Sequence, residues 1–268
     1  MDAVLTDAEL SRYSRQIALT NIGKAGQEKL KRSSVLIIGT GGGGSAAALY
    51  AGAMGIGTLG LLDPDVVELS NLSRQILYSH GDLGRLKVEA AKERILANNP
   101  DIQVNTYPFA ADGENLAYIS KDYDFILDDA GGLQTKFMIN DVLATHRKPY
   151  AFAGTNWYNT GKVGTVAGGS ACFRCMLDLP ADLPADTRPG PPSVIGPLLG
   201  VIGSIQAMEA VKYLVGGHDL LMDRVLMFDL VTLRMTISPV EKRPDCPFCN
   251  AQGETAKGEE PARADYSL

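Results

Sequence analysis

Cys172 and Cys175 form the stretch C-F-R-C, Cys246 and Cys249 form C-P-F-C, and the 268-residue chain has no other cysteine. Two such pairs are the ligand set of a tetrahedral Zn(Cys)4 site, closed by protein thiolates with no position open for catalysis. Its work would be structural, stapling the C-terminal end to the region around residue 172. Two redox-active dithiols are the alternative that spacing leaves open. A second constellation lies near the N-terminus. Gly39, Gly41, Gly42 and Gly44 fit G-x-G-G-x-G directly after the apolar run 34–39. Backbone without side chains can approach phosphates, and its N–H groups at a helix start favour an anion. Close helix–sheet packing is the plainer use of such glycines. Asp63 ends the next apolar run, where an acid accepts hydrogen bonds from ribose hydroxyls. These features suit NAD and ATP alike. Asp65 serves either as a loop cap or as part of the site.

The stretch "LSNLSRQ" (69–75) favours one nucleotide. It places Asn71, Arg74 and Gln75 just after the ribose acid, with Lys87 on the following helix. Hydride transfer needs a dry, apolar slot. Cations converging on phosphates instead neutralise charge on a leaving pyrophosphate. Each of these residues taken singly would be an ordinary surface charge; their grouping carries the argument.

The elements that must position them alternate. Residues 6–31 read as helical, with Thr6 and Glu9 as a capping pair. Strands are expected at 34–39, 57–63, 102–109, 123–129 and 149–155, and helices after the glycine turn, at 84–100 and at 135–147. Strand–helix alternation predicts an α/β fold with a Rossmann-like, doubly wound, mostly parallel sheet. Residues 161–176 read as glycine-rich strands or turns, and 177–193 as a proline-rich crossover loop. An apolar helix or helix pair is expected at 194–216, a β-hairpin at 224–240, and a polar, disordered tail from Asn250. The domain organisation expected is one unit over 1–249: N-terminal helices (1–33), a nucleotide-binding core (34–160) and a zinc-stapled C-terminal part (161–249).

Composition sets limits. The chain is 45% hydrophobic with a net charge of -6. An acidic chain without a basic tract is a poor nucleic-acid binder. We expect no signal peptide and no run long enough to span a membrane, hence a cytoplasmic protein. His80, His146 and His218 have no spacing that suggests a triad or a metal site.

The motifs "RYSRQIAL", "GRLKVEAAKERILANNP", "GVIGSIQAMEAVKYL", the glycine turn through Gln75 and both cysteine pairs occur in an order that resembles the ThiF/MoeB/HesA family, bacterial relatives of ubiquitin-activating enzymes. The resemblance covers nearly the whole chain to Cys249. It implies that ATP, with magnesium, adenylates a carboxylate. In the family this is the C-terminal glycine of a ubiquitin-like sulfur carrier, and pyrophosphate leaves. It implies a homodimer and a structural zinc. By position, Asp63 would hold the ribose and the glycine turn would line the nucleotide. Asn71, Arg74, Gln75 and Lys87 would contact the phosphates, and Arg15 would reach the partner's ATP. Asp128 matches the first acid of the family's D-x-T-D-N stretch.

Two departures stand out. Gly131 replaces the magnesium-binding aspartate of that stretch and Gly132 its asparagine, with Asp129 expected to point away from the metal role. The crossover loop also lacks the cysteine many relatives use, so an acyl-adenylate would meet an external nucleophile. The acceptor is thus a carrier protein, or a small molecule or peptide of a specialised pathway. The remaining option is a binding module in which adenylation is lost with the magnesium acid. Asn156 and Trp157 would lie near the carrier-tail channel, where they either shape acceptor specificity or serve packing.

Overall fold

Along the first strand, Val35 and Ile37 join one apolar cluster and Leu36 and Ile38 another, and all four are buried. A strand with both faces in cores must lie inside a sheet covered by helices on each side. The computed structural model describes residues 4–155, 160–177, 193–217 and 219–250. Asn156, Trp157, His218, nearly all of the expected crossover loop and the tail beyond Asn250 fall outside them.

The elements run α1 (Asp7–Arg12), α2 (Ser14–Ile17), α3 (Gly23–Arg32), β1 (Ser34–Ile38), α4 (Gly42–Ala53), β2 (Thr58–Leu62), α5 (Lys87–Asn98), β3 (Gln103–Tyr107) and α6 (Gly113–Ile119). There follow β4 (Phe125–Asp128), α7 (Leu133–Thr145), β5 (Tyr150–Thr155), β6 (Thr160–Val166), α8 (Phe173–Leu177), α9 (Gly196–Val215), β7 (Arg224–Asp229) and β8 (Arg234–Pro239). The sheet has eight strands in the order β3-β2-β1-β4-β5-β6-β7-β8. β3 through β5 run parallel, and β6, β7 and β8 are added antiparallel. The order reverses between β1 and β4, so their C-terminal ends open a crevice between a strand that leads left and one that leads right. Helices α3, α4, α5 and α9 share one core with the sheet, and α6 and α7 the other.

Several local expectations change. The helical stretch 6–31 is three helices. Thr6 and Glu9 do form the capping box, Glu9 N donating to Thr6 Oγ1 at 3.2 Å and Thr6 N to Glu9 Oε2 at 2.8 Å. The chain then breaks at Tyr13, whose ring is buried and whose hydroxyl accepts from Asn99 Nδ2 at 2.9 Å. The glycine-rich segment 161–176 supplies a strand and then most of α8. Asn250, expected to open the tail, is still held: its Nδ2 donates to the carbonyls of Arg243 and Pro244 at 2.6 and 2.8 Å.

The expectation that no segment could span a membrane also needs correcting. α9 is long and apolar enough by length and composition, with a mean hydropathy of 1.4. Its setting is that of a core helix: Leu198, Ile202, Gln206, Ala207, Glu209 and Ala210 are all buried. Glu209 accepts from Thr165 Oγ1 at 2.6 Å and Leu221 N at 2.8 Å, tying the helix to β6 and the segment before β7.

Candidate active site

At the crevice lies a cleft of about 800 Å³. One arm is lined by Gly39, Gly41, Gly42, Asp63, Asp65, Arg74, Gln75 and Lys87. The other runs past Gly131 and Gly132 to Phe152, Lys162, Phe173, Met176 and Met227. The glycine turn folds tightly. Gly39 has φ +88°, and a side chain at Gly44 would place Cβ 1.9 Å from the Gly39 carbonyl oxygen. Glycine is therefore required at both positions.

Asp63 is buried and fixed. Oδ2 accepts from Thr40 N at 2.8 Å and Thr40 Oγ1 at 3.1 Å, and Oδ1 accepts from Asp65 N at 3.0 Å. Tyr78 supports this pair by donating to the Thr40 carbonyl at 2.9 Å. Lys87, at the start of α5, reaches Asp65 Oδ2 at 2.8 Å and lies 4.0 Å from Asp63 Oδ1. Asp65 thus orients a cation and pins the loop as well as lining the cleft. Arg74 donates to the Ser70 carbonyl at 2.8 Å and has no carboxylate within 4.0 Å among the described residues. Gln75 is buried, and its Oε1 has no hydrogen-bond partner among the described residues. An uncompensated charge and an orphaned amide oxygen in one arm are groups held for a ligand.

Other expected residues lie elsewhere. Asn71 is buried and caps its own turn, accepting from Glu68 N at 3.2 Å; it is not on the cleft wall. Arg15, on α2, is exposed and does not line this cleft. Asp128 sits behind the wall. Its Oδ1 accepts from Lys136 Nζ and from Ala130 N, each at 3.1 Å. Burial pushes its carboxyl upward and Lys136 pulls it back. The Asp128 carboxylate is accordingly an internal anchor rather than a nucleotide contact.

Asp129 takes the place expected for a phosphate. Its Oδ2 accepts from Gly44 N, in the first turn of α4, at 2.5 Å. That helix start therefore carries the protein's own carboxylate. Burial raises its pKa to about 7, with Lys136 and the Gly44 N–H opposing and Asp128 and Asp63 adding to the rise. These acids also bear on magnesium. Gly131 is exposed with open space where its side chain would be. Asp63, Asp65, Asp128 and Asp129 are each already engaged by an N–H or a lysine. The residues do not fit the family's magnesium site.

The cysteines do converge. The four Sγ atoms lie within 4.8 Å of one another, with Cys172–Cys246 at 3.7 Å and Cys175–Cys249 at 3.6 Å. Zinc–sulfur bonds of about 2.3 Å in a tetrahedron require sulfurs about 3.8 Å apart, so the cluster fits zinc. Arg174, between the first pair, clasps Asp141 at 2.6 and 2.7 Å and lies over the rings of Phe137 and Phe248. Because α8 carries Cys175, Phe173 and Met176, the cluster positions one wall of the second arm.

A model of the ThiF family matches residues 13–248. The chain belongs to the ThiF family. Among curated ThiF-related proteins, it is 38% identical over 253 residues to the adenylyltransferase and sulfurtransferase MOCS3 of Drosophila virilis, covering 93% of this chain and 56% of that protein. It is 36% identical over 250 residues to MOCS3 of Aedes aegypti, covering 92% and 56% respectively. The chain thus spans little more than half the length of these relatives. Among solved structures, PaaA superposes with a TM-score of 0.75 at 30% identity, covering 91% of this chain and 77% of that one. E. coli MccB with MccA-N7isoASN gives a TM-score of 0.80 at 25% identity, covering 89% and 75%. The ThiF fold accounts for the parallel half of the sheet, the glycine turn and Asp63, all expected from sequence. Lys136, Lys162 and the apolar second arm were not expected. Lys136 had a signal: a cation in the first turn of a helix opposes the helix dipole and calls for a partner.

Proposed function

We propose that this chain uses ATP to adenylate a carboxylate. The observation that carries the reading is the first arm of the cleft, where a pinned Asp63 stands with Lys87, an unpaired Arg74 and the orphaned Gln75 oxygen. Asp63 accepts from the ribose hydroxyls, and Gly39, Gly41 and Gly42 let the nucleotide lie against backbone. A carboxylate entering by the second arm attacks the α-phosphorus. A new O–P bond forms, the bond to the β-phosphate breaks, and pyrophosphate leaves with its charge met by Arg74 and Lys87. Zinc held by Cys172, Cys175, Cys246 and Cys249 would supply rigidity and no chemistry. All four cysteines are then committed, so the acyl-adenylate passes to an external nucleophile. Arg15, exposed and off its own cleft, is suited to reach the cleft of a partner in a homodimer.

The acceptor is the C-terminal carboxylate of a polypeptide. The MOCS3 relatives, whose name joins adenylyl and sulfur transfer, support a ubiquitin-like sulfur carrier. The lack of a spare cysteine favours a shorter peptide passed straight to an external nucleophile, and the similar E. coli MccB is seen together with MccA-N7isoASN. Carboxylate-dependent exchange of labelled pyrophosphate into ATP tests the reaction, using purified sulfur carriers and short peptides. Exchange that requires both a free C-terminus and Arg74 is expected. ATP binding without exchange for any carboxylate would reduce the chain to a nucleotide-binding module.

A further inference from the structure

Lys162 lies on β6 and lines the second arm of the cleft. It is half-buried, and among the described residues no carboxylate lies within 4.0 Å of it and no hydrogen bond is made by its ammonium. The other two lysines of the cleft are both answered, Lys87 by Asp65 and Lys136 by Asp128. Lys162 shares its face of the sheet with Thr160 and with Asp229, whose Oδ1 is turned into the β7–β8 turn and accepts there from Val231 N and Thr232 N. Its register neighbours are Gly154 on β5 and Met227 on β7, and Phe152 lies on the same face. An ammonium that lines a cleft and has no partner of its own is available to meet an anionic group of a ligand.

Its position says which anion. The ribose acid Asp63 ends β2, and Lys87 and Arg74 cluster with it. Lys162 is on β6, four strands away in the order β2-β1-β4-β5-β6. At about 4.8 Å per strand that is about 19 Å. A cation so far from the ribose end lies on the acyl side, beyond the α-phosphorus. From the end of β4, beside Gly131, β6 is two strands away, about 10 Å. The lysine side chain stands off the sheet rather than along it, so the substrate itself must span this distance, as an extended residue with an acidic side chain does. An anion met by Lys162 therefore sits within one or two residues of the carboxylate that reacts.

We infer that Lys162 is a specificity residue for a second anionic group on the acyl substrate, so that the substrate is a peptide whose last or penultimate side chain is acidic. The inference rests on the adenylation reading for its direction, and deepens it. A tail ending in two glycines offers no such group; an acidic C-terminal peptide does, with its aliphatic part against Phe173 and Met176.

Calorimetric titration tests this on the full chain loaded with zinc and a non-hydrolysable ATP analogue. The probes are two pairs of peptides with free C-termini: acetyl-Ala-Glu-Gly against acetyl-Ala-Gln-Gly, and acetyl-Ala-Gly-Glu against acetyl-Ala-Gly-Gln. The acidic member of at least one pair should bind about tenfold tighter or more, the range of a charge-assisted contact. Lys162→Met should abolish that preference, Lys162→Arg should keep it, and affinity for the ATP analogue should stay within about twofold in both. Equal affinity within both pairs would overturn the inference, as would no binding of any peptide to the nucleotide-loaded protein. Equal weakening of acidic and neutral peptides by Lys162→Met would also overturn it, since Lys162 would then hold the common C-terminal carboxylate. Lost nucleotide affinity in that variant would make Lys162 a phosphate contact. If the wild type fails to bind ATP yet still prefers the acidic peptides, the adenylation reading falls and the anion site remains.

Discussion

Asp129 should make the protein lose stability as pH rises, and Asp129→Asn should remove that loss. Asp129 is half-buried on the cleft wall; its carboxylate accepts from Gly44 N at the start of α4, and desolvation raises its pKa from 3.8 to about 7. The folded state holds this proton more tightly than the unfolded chain. Below pH 4 both states are protonated and nothing is lost. Between pH 4 and 7 the unfolded state ionises first, so stability falls, and above about pH 7 the full cost is in place. The shift corresponds to at most about 4 kcal/mol. A helix N-terminus stabilises an anion by about 0.3–2 kcal/mol, so burial wins. Asparagine keeps an oxygen for Gly44 N and carries no charge. Urea unfolding of both proteins at pH 4, 5, 6, 7 and 8 should show a difference that is smallest at pH 4, reaches at most about 1.6 kcal/mol at pH 5 and grows in favour of Asn to at most about 4 kcal/mol at pH 8. The difference cancels titrations common to both proteins. A difference that does not change with pH would show that Asp129 does not titrate in this range. A wild type more stable than the variant at pH 8 would mean that the helix start outweighs burial.

Arg74→Ala should leave unfolding free energy within about 0.5 kcal/mol, since among the described residues its side chain makes one hydrogen bond, to the Ser70 carbonyl. The same variant should weaken ATP binding about tenfold or more in a calorimetric titration; unchanged affinity would remove Arg74 from the phosphate site. Cys246→Ser should lower bound zinc in elemental analysis and lower the melting temperature, and full zinc retention would refute the four-thiolate assignment. Lys136→Met leaves Asp128 buried without its cation and should cost about 3–5 kcal/mol in denaturant unfolding, much of it recovered by adding Asp128→Asn. A mild single variant would show that Lys136 serves the cleft rather than the anchor.

The sequence reveals the residues that backbone geometry demands. Gly39 and Gly44 are visible because no other residue fits the turn, and the four cysteines because one metal geometry demands that set. Strands β1 and β4 are legible as short apolar runs because both their faces are buried. Residues whose meaning depends on a distant partner are hidden. Asp128 and Asp129 are adjacent acids in the sequence, yet one faces Lys136 and the other Gly44. Nothing local separates an anchor from a helix cap. The second arm is also silent, since Phe152, Phe173 and Met227 come from three elements and read individually as core. Lys162 becomes informative only once its neighbours are known to leave it unpaired.

The place of β1 in the sheet bears on how the chain folds. Its neighbours are β2, close in sequence, and β4, so that Ser34 meets Asp124 across 90 residues. Closing a loop of that length costs about 4 kcal/mol in chain entropy before any contact repays it. The cleft lies across this late junction, with the glycine turn on one side and Asp129 on the other. A chain emerging from the ribosome therefore carries the glycine turn and Asp63 well before it has a place for the nucleotide. Refolding followed by nucleotide binding should lag behind refolding followed by helix content, because ligand capture reports the closure of the sheet's centre.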